Sequence, residues 1–443
     1  MTKFILAIAL FFPFLSSAQF VYLPSWDRTI RFIAYSPDGN QVIANSSETT
    51  AGVWDMSNGK ILHTLKHEHP VRDAIFDPSG KYILTKSSRH TTLYTSSLIL
   101  WNAETGDLLH HLEGHTKIVT DMEFNSKGDK IITASEDGTA RLWSAGTGEL
   151  IQTFADREGR VNCVKFSSSG KTIATTSTDK TAKIRLADTG ELQHTLHGHT
   201  DNVTYATYSP DGKRLFTASN DETVKVWNVE TGEELQTLSG HPADVKHIAF
   251  SPDQKYLLTT ATGIAEVNNT IMLWDVSSLD LVHKIEGNIL DKEAIGHRER
   301  INDALFNHNS ELLICSDYDG EIKVWDTESG DLMNTSNWGM GSFYLAVHPS
   351  KNIFLVGGHN NFKVIQAESG KRLIELYLVD DHPDQWIHTF NGKKYVDTRA
   401  DVMKKLQVMD QGKVHPFSAY ENDFYVPDLW VKVMKGDTLF VKE

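Results

Sequence analysis

Apolar and polar positions alternate in short bursts along this chain, and the bursts come in fours. From Val203 onward, VTYATYS is followed by the turn SPDG (Ser209 to Gly212), then RLFTAS, NDE, TVKVW, ETG and EELQTLS. Short runs rich in β-branched and aromatic residues, bounded by Gly, Pro, Asp and Asn, read as strands joined by tight turns. Pro fixes φ, Asp bonds its own backbone and Gly accepts φ > 0, so SPDG suits a turn. The second run of each set (IITAS, LFTAS, LLTTA, LLICS, IFLVG) is apolar without alternation. Such runs belong to strands covered on both faces. A single sheet with one wet face has no need of them, whereas sheets stacked face to face in a ring do. The predicted fold class is all-β.

The pattern repeats. Tryptophan closes the third run at Trp54, Trp101, Trp143, Trp227, Trp274 and Trp325, and a glycine follows five residues later at Gly59, Gly106, Gly148, Gly232 and Gly330. Leu279 stands in the glycine's place in the remaining one, and the frame continues through Arg185 with Gly190 and Ile365 with Gly370. Eight repeats result, spaced 47, 42, 42, 42, 47, 51 and 40 residues apart. A repeat of this period cannot bury its apolar faces alone and must stack on its neighbours.

The constellation resembles the WD40 family, over roughly residues 28–378. The resemblance implies a β-propeller in which Gly-His precedes the first strand, Ser or Thr ends the second, Asp lies in the next turn and Trp closes the third. It further implies that these side chains form a hydrogen-bonded tetrad within a blade. The match is complete in the third repeat (His115, Ser135, Asp137, Trp143) and in the fifth (His199, Ser219, Asp221, Trp227). The seventh keeps His297, Asp319 and Trp325 but has Asp317 where serine is expected; the fourth has Ser177 and Asp179 but Arg185 for Trp. The first and eighth lack the histidine, so their blades are expected to be the softer ones. A His-Asp pair with a nearby Ser also has the composition of a catalytic triad. Triad chemistry is built once, at an accessible site with an oxyanion hole, whereas this trio recurs at fixed offsets as a structural device does. Eight blades are favoured; seven is commoner in the family, and Phe20 to Leu23 (FVYL) could supply a closing outer strand.

Loop variation on a fixed scaffold is where function concentrates. Three connections exceed the uniform turns: KSSRHTTLYTSS (Lys86 to Ser97) in repeat two, TGIAEVNN (Thr262 to Asn269) in repeat six, and EGNILDKEAIGH (Glu286 to His297) between repeats six and seven. Strands in a blade alternate direction, so all three emerge on one face, and in an eight-bladed ring repeats two and six are opposite. The candidate partner-binding rim is therefore Arg89, His90, Tyr94, Glu266, Asn268, Asp291 and Lys292.

The ends differ from the repeats. Lys3 and the apolar stretch Phe4 to Leu15, with small Ser16 and Ala18, have the form of a signal peptide cleaved after Ala18. The stretch is too short for a spanning helix. Residues 1–18 are thus expected to direct export to a bacterial periplasm or beyond, 19–378 to form the propeller and 379–443 a small C-terminal α/β module. In that module WIHTFNGKKYVDT (Trp386 to Thr398) reads as a hairpin with a type I′ turn at Asn391-Gly392. Val402, Leu406 and Met409 have helical spacing over 400–409, and a second helix is expected after Pro427. The module weakly resembles the one that follows WD40 propellers in some bacterial caspase-like peptidases. That resemblance implies a regulatory or recruiting role beside a peptidase.

Charge and cysteine usage narrow the function. With 58 acidic against 43 basic side chains, net −15, and no basic run, nucleic acid is not an expected partner. Cys163 and Cys315 lie three repeats apart, too far for a disulfide, and read as buried thiols. An enzyme or lectin would need convergent polar groups in the channel. The innermost runs offer Asp73, Asp77, Asp121, Glu123 and Asp303, expected to be scattered and solvated, with no spacing for a metal. No cofactor and no metal are expected. The chain is read as a non-catalytic scaffold for protein partners.

Overall fold

The computed structural model describes residues 30–378, apart from 46–47, 89–94, 156–158, 264–266, 289–294, 338–343 and 359–360. It also describes strands at Phe20–Tyr22, Trp386–Phe390, Tyr395–Thr398, Gln407–Asp410 and Lys413–Pro416. Eight antiparallel sheets follow one another as the segments 33–66, 71–111, 119–155, 161–196, 203–238, 245–288, 301–337 and 344–378, each contiguous in sequence. They are numbered here as blades one to eight. In blade five the strands are Val203–Tyr208, Arg214–Ser219, Val224–Asn228 and Glu234–Leu238, innermost first.

Each second strand is buried on both faces, as its unbroken apolar run requires. In blade three, Ile131 packs toward blade two while Ile132 and Ala134 pack toward blade four. In blade seven, Leu313 and Cys315 face blade six, and Leu312 and Ile314 face blade eight. Every pair of neighbours has such a core, and the last joins blade eight to blade one. There Ile30, Ile33, Val42 and Trp54 meet Leu355, Phe362 and Val364, with the Trp54 and Phe362 rings edge to face at 5.4 Å. The Ile30 N–H adds a 2.9 Å hydrogen bond to the Gly358 carbonyl. The ring closes by side-chain packing, and among the described residues no strand is exchanged between its two ends. Phe20–Tyr22 does not supply a closing strand. It pairs with Gln407–Asp410, which pairs with Lys413–Pro416, in a separate three-stranded sheet.

That sheet also corrects the helix expected over 400–409. The segment Gln407–Asp410 is a strand with a partner on either side, and for a short apolar run pairing outweighs a 3.6-residue spacing. The hairpin at 386–398 is present and extends blade eight to six strands. Phe390 pairs with Tyr395, and the turn expected at Asn391-Gly392 lies outside the described residues. The expected helix after Pro427 and the leader at 1–18 lie outside the described residues.

A second set of contacts locks neighbouring blades at the circumference. In the outer strands, His63, His110, His194 and His283 place Nε2 at 2.8, 3.2, 3.0 and 2.8 Å from a carbonyl in the next blade's third turn. Asn334 does the same through its amide, 2.9 Å from the Ser369 carbonyl. The turn glycine sits against that ring: a Cβ on Gly148 would lie 2.5 Å from His110, and one on Gly232 2.6 Å from His194. These glycines also have φ near +72°, so the recurring Gly answers two demands at once. Leu279 adopts φ +62° in their place.

Candidate functional site

Two kinds of polar array stand out, one inside the blades and one around the channel. The first is a relay joining histidine to tryptophan. In blade three His115 Nε2 lies 2.8 Å from the Thr133 hydroxyl, to which Trp143 Nε1–H donates at 3.0 Å. On the other side His115 Nδ1 meets Asp137 at 2.9 Å, and Thr139 donates to Asp137 at 2.6 Å. Blade five repeats the set with His199, Thr217, Trp227, Asp221 and Thr223. Burial alone would push the Asp137 carboxyl up, but the hydrogen bonds from His115, Thr139 and the Thr116 N–H hold it well below the usual range.

The oxygen between His and Trp is therefore a threonine in mid-strand, and not Ser135 or Ser219. Those serines are fully buried and accept the Asp137 and Asp221 N–H groups at 3.1 and 3.0 Å. Sequence reasoning passed over the threonine, although it recurs two residues before the strand's end in ITAS, FTAS, LTTA and LTKS. Blades two and six have it too: Thr85 joins His67 to Trp101, and Thr259 joins His241 to Trp274. Among the described residues no carboxylate meets either histidine, and burial pushes His67 down to about 4 and His241 to about 3.

Blade seven departs from this plan. His297 Nδ1 bonds Asp317 at 2.9 Å, so Asp317 takes the role assigned to Asp319. The Asp319 N–H instead donates to Asp317 at 3.1 Å within the turn. Cys315 occupies the threonine position, and both His297 Nε2 and Trp325 Nε1 are buried without a hydrogen-bond partner. His297, Asp317 and Glu321 form the one His–acid group among the described residues with ligand atoms within 4.8 Å of one another. Lys323 lies 3.2 Å from Glu321 and donates to the Gly296 carbonyl at 2.7 Å, so an ammonium already serves as the cation there.

The second array lies on the innermost strands, where Asp77, Asp121, Glu123 and Asp303 are engaged and buried or half-buried and only Asp73 is solvated as expected. Asp121 forms a 2.9 Å ion pair with Lys165 of the next blade and accepts the Val164 N–H. Glu123 accepts the Phe166 N–H at 2.7 Å, and desolvation, opposed by Lys165, leaves its carboxyl pushed up to about 7. Asp303 accepts the N–H groups of Ala304 and Leu345, and burial pushes it up to about 6. Asp73 lies 3.4 Å from Lys86, and Asp77 caps its turn through Ser79 and Tyr82. Where Asp121 stands in blade three, blade four has Cys163. Its thiol, like that of Cys315, is free, buried and raised well above the usual range by desolvation. Asp121, Glu123 and Asp303 hold one blade against the next, whereas Asp73 and Asp77 bond within their own blade.

The long connections are built differently from the loops expected. In blade six Val267 pairs with Asn288 and Asn269 with Gly287, so the insertions at 262–269 and 286–297 join as one paired ribbon. Asn269 fastens its base by donating to the Glu299 carbonyl at 2.7 Å. In blade two Ser87 and Ser88 pair with Ser97 and Ser96, lengthening the hairpin in the same way. Arg89, His90, Tyr94, Glu266, Asp291 and Lys292 lie outside the described residues, and Asn268 lies in the strand Val267–Asp275. Two clefts open at the ribbon bases. One of about 690 Å³ is lined by His67, His69, Ser96, Ser97, His111 and Glu113. The other, of about 360 Å³ between blades six and seven, is lined by Lys246, His247, Thr262, Arg300, Asp303 and Tyr318.

Comparison with known proteins agrees with this geometry. The family model described as "WD domain, G-beta repeat" matches residues 106–144, 148–185, 190–228, 232–275 and 290–326. Over 115 residues the chain is 34% identical to Nuclear distribution protein PAC1 of Arthroderma benhamiae, 24% of this chain and 24% of that protein. It is 28% identical over 142 residues to Autophagy-related protein 16 of Arabidopsis thaliana, 24% of this chain and 28% of that protein. The chain thus spans well under two thirds of either relative. The crystal structure of the computationally designed Ika8 protein superposes with a TM-score of 0.61 at 22% identity, covering 79% of this chain and 96% of that one. The chain is an eight-bladed β-propeller, five segments of which match the WD-domain repeat model.

Proposed function

We propose that this propeller is an exported, non-catalytic scaffold that holds protein partners on the face carrying its two ribbons. The observation that carries this reading is the contrast between the blades and that face. Inside the blades the titratable side chains are tied into contacts within or between sheets. The ribbons of blades two and six stand across the channel from each other on a ring that has no need of them for closure. Rigid scaffolds with elaborated loops present binding surfaces of this kind. The Ser-His-Asp sets do not favour hydrolysis, because neither Ser135 nor Ser219 bonds the histidine and both are buried. Export rests on the leader at 1–18.

The test is photo-crosslinking of residues 19–443 with a reactive residue at Tyr94 or Asn268, in the native envelope. One partner trapped from both positions, and lost when the ribbons are trimmed to two-residue turns, is expected. Efficient capture from positions on the opposite face alone would overturn the assignment of the face.

A further inference from the structure

The first strands of blades two to seven carry a bulge near their start, which leaves one residue out of the pairing register. In blades three, four and five this residue is Thr120, Asn162 or Thr204, and each donates to the next blade's carbonyl at 2.7 Å. In blades two and six the bulged residue is Arg72, which donates to Ser88 at 3.3 Å and lies in the field of Glu48, or Lys246. Arg31 precedes the first strand of blade one, close enough to Arg72 for the two charges to repel. Arg300 precedes that of blade seven, its guanidinium 5.4 Å over the Tyr318 ring. Four cations thus run around the channel mouth across blades six, seven, eight, one and two. Tyr344, at the start of blade eight, sits between them in the field of both Tyr318 and Arg31.

This arc is at odds with the rest of the molecule, which carries net −15. Among the described residues no carboxylate forms an ion pair with Arg31 or Arg300, and both are exposed. Lys246 is already ion-paired with Asp244 at 2.8 Å and donates to the Asn220 side chain at 2.8 Å, so Arg31 and Arg300 are the more open cations of the arc. Tyr318 is 45% exposed at the lip of the 360 Å³ cleft, giving one apolar surface among the cations.

Resting on the scaffold reading above, we propose that the mouth of the channel takes an acidic segment of the protein partner. Arg31, Arg72, Lys246 and Arg300 receive its carboxylates, and Tyr318 covers an adjoining side chain in the cleft. Guanidinium groups present paired donors that match a carboxylate. A nucleic acid fits less well. Four cations flanked by Asp73, Asp244 and Asp303 make a short local field, and a long polyanion meets the overall negative charge beyond it.

The test is fluorescence anisotropy of the full chain with a labelled peptide carrying five glutamates, beside the matched glutamine peptide and an oligothymidylate of equal charge. The glutamate peptide is expected to bind at least tenfold more tightly than either, and to weaken as salt rises. R72E/R300E is expected to lose at least tenfold, and R72Q/R300Q several-fold. K213E/K351E, which changes lysines in turns on the opposite face, is expected to lose nothing. Equal binding of the glutamate and glutamine peptides overturns the proposal, as does unchanged binding by both mouth variants or tighter binding of the oligonucleotide. Thermal melting of each variant separates loss of binding from loss of fold. A partner trapped at the ribbons by a chain that ignores the glutamate peptide would leave the scaffold standing and remove this inference alone.

Discussion

Cys315 stands where blades two, three, five and six carry the bridging threonine, and the cost is legible in its neighbours. Two buried nitrogens, on His297 and Trp325, face a thiol that accepts hydrogen bonds poorly. Cys315→Thr is expected to stabilise the chain by about 1–2 kcal/mol, read as a shift in the urea midpoint at constant slope. Thr133→Val, which removes the same oxygen from an intact relay, is expected to cost about 1–3 kcal/mol. The relay was only half legible in sequence. Histidine, aspartate and tryptophan were visible as a constellation, but the serine at the strand's end drew attention from the threonine that bonds them. Glu123 makes a second prediction at this scale. Its folded carboxyl titrates near 7 against an ordinary 4.5, so the folded chain holds that proton more tightly than the unfolded one. Stability from this group is present below about 4.5 and is lost as pH rises through 7. Glu123→Gln, which keeps an oxygen for the Phe166 N–H, is expected to flatten the fall in unfolding free energy between pH 4.5 and 7.

At the scale of elements, strand runs were the most legible feature, because a strand covered on both faces must be apolar throughout. The ribbon was not legible: TGIAEVNN and EGNILDKEAIGH lie far enough apart to look like separate loops, and it is the pairing of Val267 with Asn288 and Asn269 with Gly287 that joins them. The strand at Gln407–Asp410 was hidden in the same way, since its partners come from opposite ends of the chain. The outer-strand clasps yield the sharpest prediction here. Gly148→Ala places a methyl against His110 at a φ of +72°, and is expected to cost about 1–3 kcal/mol. His110→Ala removes one exposed hydrogen bond and is expected to cost about 1 kcal/mol or less. Denaturant melts of the two variants check the order; equal losses would mean that the glycine answers to φ alone.

For the whole molecule, eight like segments each bury their faces on the next, and the only seam is where the two ends of the ring meet. The period of the repeat announced a ring, and the count of eight followed from reading every segment as complete. How the ring closes did not follow, because packing without strand exchange leaves no mark on spacing. Blades one and eight lack the relay: Ala44 stands at the threonine position of blade one, and Trp54 Nε1 is buried without a partner. Their stability must come from the Ile30, Trp54 and Phe362 core. Hydrogen exchange followed by mass spectrometry tests this most directly. Slow exchange is expected in all eight second strands, with Gln41–Asn45 and Ile353–Gly357 opening somewhat before Lys130–Ser135 and Arg214–Ser219. Exchange in Gln41–Asn45 and Ile353–Gly357 as fast as in the exposed outer strands would contradict a closed ring of eight blades.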